Sequence, residues 1–191
     1  MTFDEESVAE VRKLFDKAET IIKQIESLEN DALPVPPVNQ LRYAGRHILN
    51  ALSGKQSQEQ GWYDARKHCL RAVYDGAQIG LSFFLRKIKD FENDYRAVTV
   101  VDVLPDFPNI IKEARKAQDL LANVDSDMKE RLAEDCLICF ESLRNSVDSM
   151  DLARVELNKK VDRQRRTDRM VIWGLIFAAA SVLLTAVQLF K

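Results

Sequence analysis

Apolar positions recur at alternating spacings of three and four along most of this chain, the period of an amphipathic helix. In residues 3–29 the stripe is Val8, Val11, Phe15, Ala18, Ile22 and Ile25, widened by Leu14, Ile21 and Leu28. Asp4, Glu5 and Glu6 lie at its N-terminal end, where the helix dipole favours negative charge. Pro34, Pro36 and Pro37 then predict an extended connector, with Pro37 opening a second helix over 38–52. Val38, Leu41, Ala44 or Gly45, Ile48 and Leu52 form its buried side, and Asn39, Arg42, Arg46 and Asn50 line another, polar side. The run from Ser53 to Gly61 reads as a loop.

A third helix is predicted over 62–95. Ala65, Cys69, Ala72, Gly76 and Gly80 make a narrow seam along it. Two glycines inside a helix cost about 1 kcal/mol each relative to alanine, so the seam predicts a close neighbour. Ala44 and Gly45 are the expected partners. Residues 97–108 read as an extended connector with apolar anchors, cut short by Pro105 and Pro108, and a short helix over 109–123 follows. Ser126 offers an N-cap for the last helix. Leu132, Cys136, Cys139, Leu143, Val147, Met150, Leu157 and Val161 carry its period toward the C-terminus, with no proline and only Gly174 as glycine.

That last helix runs into the stretch around which the chain is organised. Met170–Phe190 holds 21 consecutive uncharged residues, whose only polar side chains are Ser181, Thr185 and Gln188. As a helix they would reach about 31 Å, matching a hydrocarbon core of about 30 Å. A single transmembrane helix is therefore expected over 170–190, preceded by a helix over 126–169 that is part bundle and part membrane-proximal stalk. Lys159, Lys160, Arg163, Arg165, Arg166 and Arg169 stand before it, offset by Asp162 and Asp168. Basic flanks stay on the cytoplasmic side and suit anionic headgroups, so residues 1–169 are expected in the cytosol and Lys191 at the far face. The alternative for the collar is a topology signal with solvated side chains. A lipid-anchor signal is the other source of a terminal apolar run, but it needs a secretory leader, and the acidic MTFDEESVAEVRKLF does not resemble one. Gly174, Ala178, Ser181, Thr185 and Gln188 recur at four, three, four and three, a stripe of small and polar residues suited to helix–helix contact in the bilayer.

Charge sharpens this division. Residues 1–158 carry 21 Lys and Arg against 28 Asp and Glu, and residues 159–191 carry 7 against 2. An acidic domain lacks the electrostatic footprint of general nucleic-acid binding. Cys69, Cys136 and Cys139 do not make a disulfide framework. Cys136 and Cys139 form a C-x-x-C inside a helical pattern, better read as buried small residues than as metal ligands. His47 and His68 lie far apart in sequence and are not expected to pair, so neither metal nor cofactor is expected. Arg66, Lys67, His68, Arg71 and Tyr74 read as a solvated face.

The remaining candidate chemistry is Arg42-Tyr-Ala-Gly-Arg-His47. Arginine, four residues and histidine resemble the R-x4–6-H signature of the HEPN superfamily, all-α domains many of which are ribonucleases. That resemblance implies Arg42 steadying a phosphate and His47 handling protons, with symmetric dimerisation completing the cleft. The chain departs from the pattern in carrying Tyr43 where a polar residue, often Asn, follows the arginine. The expected protein is thus all-α: a cytosolic helical bundle over 1–125 whose long last helix continues into the bilayer. Its expected function is a membrane-tethered module that self-associates and docks a cytosolic protein partner. The alternative is a membrane-anchored HEPN-like ribonuclease. A membrane-perturbing assembly is a third possibility, but one span with few polar residues makes a poor pore wall.

Overall fold

The computed structural model describes residues 5–28, 33–122 and 124–189, with the side chains of 126 and 182–189 outside that description. Among the described residues the chain is all-helical: α1 (Glu5–Leu28), α2 (Val35–Leu52), α3 (Gln58–Asp94), α4 (Phe107–Leu121) and α5 (Ser126–Leu189). The five expected helices occur in the expected order, and the differences lie at their ends.

Helix α2 begins at Val35, so Pro36 as well as Pro37 sits in its first turn, and the extended connector ends sooner than expected. First-turn N–H groups have no partner within the helix, so two residues lacking them cost nothing there. Helix α3 starts at Gln58, four residues before expectation, because Ser57 Oγ accepts from Gln60 N–H at 3.3 Å and caps it. The α2–α3 turn is confined to 53–57 and passes through Gly54 at φ 71°. Helix α4 takes Pro108 into its first turn. The cap of α5 is Asp125 and not Ser126: Asp125 Oδ1 accepts from Asp127 N–H at 3.1 Å and Met128 N–H at 2.8 Å. Between α3 and α4 the chain is a succession of turns around a 3-10 segment, Val100–Asp102. Val100 is buried and Val98, Val103 and Leu104 pack on the core, so the apolar anchors are present although the backbone is not extended.

Helix α3, about 55 Å long, is the axis. Helix α1 runs along it in the same sense, with Glu10 beside Arg66 and Ile21 against Gly76. Helix α2 runs back along the same half, with Ala51 against Gly61 and Gln40 beside His68. Helix α5 follows α3 from Arg71–Glu130 to Tyr95–Asn158, and α4 fills the other side of that half. The small-residue seam meets different partners from those expected. A Cβ on Gly76 would lie 2.9 Å from Ile21 of α1, and one on Gly80 would strike the Phe140 ring of α5. Only the Ala65–Cys69 end of the seam faces Ala44, and the glycine that α2 approaches is Gly61, where an added Cβ would lie 2.5 Å from Ala51 Cβ. A Cβ added at Gly45 would meet nothing within 4 Å.

The main core joins Phe84, Phe91, Tyr95, Phe140, Leu143, Met150 and Leu157. Polar ties also cross from α3 to α5 beside this core. Asp75, only 5 % exposed, accepts from Lys129 Nζ at 2.7 Å. Tyr95 Oη donates to Asn158 Oδ1 at 2.8 Å. A half-removed buried ion pair is strongly destabilising, so these ties fix the register of α5 on α3 more than they add stability. The α5 stripe expected to be covered is covered as far as Leu157, with Val161 partly so. From 162 to 181 every residue is exposed. Among the described residues no helix is long and apolar enough to cross a membrane.

Candidate functional site

One stripe of α3 (Asp64, His68, Arg71 and Asp75, at spacings of four, three and four) carries a ladder of polar side chains between α2 and α5. At its lower end Gln56 bridges two of its neighbours. Its amide nitrogen donates to Asp64 Oδ2 at 2.8 Å, and its amide oxygen faces His47 Nδ1 at 3.2 Å. Gln60 donates to Asp64 Oδ1 at 2.9 Å. His47 Nδ1 also lies 3.6 Å from Asp64 Oδ2. Next along, His68 Nδ1 faces Gln40 Oε1 at 2.7 Å. Above these, Arg71 pairs with Glu130 at 2.8 Å, which Lys67 also approaches at 3.7 Å.

His47 and His68, expected to be unpaired, stack face to face with centroids 5.3 Å apart and planes at 17°. The antiparallel α2–α3 hairpin brings them together across 21 residues, a juxtaposition that neither residue's local pattern reveals. Because each Nδ1 faces an amide oxygen, each imidazole carries its proton there and presents Nε2 as an acceptor. Burial lowers the His68 pKa, helped by the neighbouring His47 and Arg71 against Asp64 and Glu130. At Asp64 burial pushes upward, but the hydrogen bonds from Gln60 and Gln56 and the field of His47 outweigh it and hold the carboxyl below its usual range. The packed cluster therefore resists protonation of His68. Among the described residues no group of His, Cys, Asp and Glu is arranged to hold a metal ion.

Arg42 and His47 are not brought together. Arg42 is exposed and its guanidinium lies 5.3 Å from the Tyr43 ring, whose other neighbour is His68 at 5.4 Å. The face read as solvated from Arg66 to Tyr74 divides. Arg66 binds Glu10 of α1 at 2.6 Å, and Tyr74 is fully buried with no partner for its hydroxyl among the described residues. Cys136 and Cys139 are both buried, as expected; burial pushes Cys136 up to about 12 and Cys139 upward as well.

In the basic collar, Lys159 and Lys160 already face carboxylates, Glu156 at 3.1 Å and Asp102 at 2.9 Å. Arg163, Arg165, Arg166 and Arg169 project from the exposed helix. Beyond them Gly174 has open space around it, Ala178 is exposed, and Ser181 Oγ donates back to the Phe177 carbonyl at 2.9 Å. The Thr185 and Gln188 side chains lie outside the described residues. Comparison with protein-family models, with curated proteins and with solved structures finds no match.

Proposed function

We propose that this chain is a membrane-tethered helical module that self-associates and docks a cytosolic protein partner at the membrane. The observation that carries the reading is the continuity of α5. One helix supplies a wall of the core up to Leu157 and then leaves the bundle through a basic, exposed segment. Past it the large apolar side chains Met170, Val171, Ile172, Trp173, Leu175, Ile176 and Phe177 are each at least half exposed. A contiguous uncovered apolar surface of this kind marks a contact with lipid or protein. Side chains of this run are described through Ser181, and the sequence continues it uncharged to Phe190. A lipid-exposed backbone must satisfy its own hydrogen bonds, which a helix does. No Gly/Ser linker interrupts α5, so the module and its anchor move as one piece.

The test compares the full chain with one ending at Arg169 after alkaline carbonate extraction of membranes. The full chain stays with the lipid and the shorter one is released; release of both ends the reading.

A second reading, a HEPN-like ribonuclease, draws on the His47–His68 pair, two stacked imidazoles beside Asp64. The separation of Arg42 from His47 speaks against it. RNA cleavage by the full chain in detergent, lost in His47→Ala without a drop in Tm, would put it first.

A further inference from the structure

Helices α1 and α2 both lie along the first half of α3, yet they barely meet, and a groove runs between them. Its α1 wall is one face of that helix, Val8, Arg12, Phe15, Glu19 and Ile22, continued by Glu26. From Glu5 to Glu26 this wall is about 31 Å long. The α2 wall is Val38, Leu41, Arg42, Ile48 and Leu52, and Trp62 of α3 forms the floor at one end. The cavity at the Trp62 end alone measures about 730 Å³.

Three observations show that the groove lacks an occupant among the described residues. First, Trp62 is 8 % exposed, and its indole N–H is buried without an acceptor among the described residues. Such a donor is costly, and a guest that supplies an acceptor removes the deficit. Second, Gly45 falls at the centre of the α2 wall, at spacings of four from Leu41 and three from Ile48, with nothing within 4 Å of the place a Cβ would take. Glycine is disfavoured inside a helix, and no contact within the described residues requires it here. A second helix backbone approaching this wall does. Third, α2 is basic: Arg42 and Arg46 are exposed and make no ion pair among the described residues, and no carboxylate occurs from Leu33 to Gln58.

We propose that the groove between α1 and α2 docks an amphipathic helix of a protein partner, apolar on the entering face and acidic along the edge that meets Arg42 and Arg46. The inference rests on the docking reading above and names the surface and the partner's chemistry. Lipid is a poor occupant. The groove lies beside the N-terminal half of α3, whereas α5 leaves the bundle beyond Tyr95, about 50 Å farther along from Trp62.

The test uses the full chain in detergent micelles carrying Trp173→Phe, which leaves Trp62 as the one tryptophan. The probe is a synthetic helical peptide of about 18 residues, close to the groove's length. Leucines occupy one face and glutamates the edge; a control carries lysines at the edge. Saturable quenching or shift of Trp62 emission by the glutamate peptide is expected, with binding on the order of tenfold weaker in Gly45→Leu or Leu52→Glu. Arg42→Glu should reverse the preference between the two peptides. Gly45→Ala serves as the folding control, because it raises Tm while weakening binding. Equal binding of both peptides, or full binding by Gly45→Leu, overturns the proposal. So does a dimer in micelles that Leu52→Glu dissolves, since the occupant is then a second copy. None of these outcomes depends on whether 170–190 enters a bilayer, so carbonate extraction fails or succeeds separately.

Discussion

Alanine at Gly80 and at Gly45 makes the same chemical change in the interior of two helices, and the structure gives the two changes opposite consequences. Each adds one methyl and gains the helix preference of alanine over glycine, about 1 kcal/mol. At Gly45 the methyl enters open space, so that gain stands. At Gly80 it strikes the Phe140 ring, which is itself fully buried and packed 5.3 Å from Phe84. The buried ring must shift to admit it, and overpacking of this kind costs about 1–3 kcal/mol. The difference between the variants is therefore the packing cost alone. For a domain of this size 1 kcal/mol moves Tm by about 2–4 °C, so Gly80→Ala should melt about 2–12 °C below Gly45→Ala. Thermal unfolding in detergent, followed by circular dichroism at 222 nm, measures it. Phe140→Leu placed in the Gly80→Ala background should recover part of the loss, because it frees the space the methyl needs. Equal melting temperatures for the two alanine variants would refute the packing of α3 on α5 described above.

The histidine pair gives a pH dependence whose sign is fixed by the direction of the shift. With the His68 pKa lowered in the fold, the unfolded chain takes up the proton first as pH drops below about 6.5. Stability is then complete above that pH, declines below it, and levels off beneath the folded pKa. His68→Gln should flatten this decline in denaturant titrations between pH 7 and 5; an unchanged slope would show that the stacked pair is not its source. Asp64, held low, adds a separate loss at more acid pH, as its carboxyl is forced to protonate. Within the apolar stretch, Gly174→Leu or Ala178→Leu should weaken self-association in a membrane reporter assay, whereas leucine at Ile176 should not. The loss should be partial, since such contacts contribute only about 1 kcal/mol each. Equal effects at all three positions would leave the stripe without a role.

The fold was legible wherever a single helix carries its own periodic signal. All five helices, the covered face of α5 and the burial of Cys136 and Cys139 follow from spacing alone. Helix starts were less so, because prolines at 36 and 108 read as breaks although the first turn tolerates them. The small residues of α3 announced a close contact but not its partner. That choice depends on which bulky side chains, Ile21 and Phe140, the other helices present at the same height. The polar cluster was hidden for the same reason. His47 and His68 belong to different helices, and only the hairpin's register sets them face to face. A signal was available in the Asp64, His68, Arg71, Asp75 spacing, which places four ionisable groups on one stripe of a helix otherwise rich in buried residues.

The central proposal is that α5 continues from the helical bundle, through the basic segment, into the bilayer as one rigid element. Protease accessibility in sealed vesicles of known orientation tests it most directly, with antibodies to tags at both ends. Inverted vesicles should lose residues 1–169 to the protease and keep a protected C-terminal fragment of a few kilodaltons, and right-side-out vesicles should keep the bundle whole. Digestion of the whole chain in both orientations, or protection of the bundle only in inverted vesicles, would contradict the account.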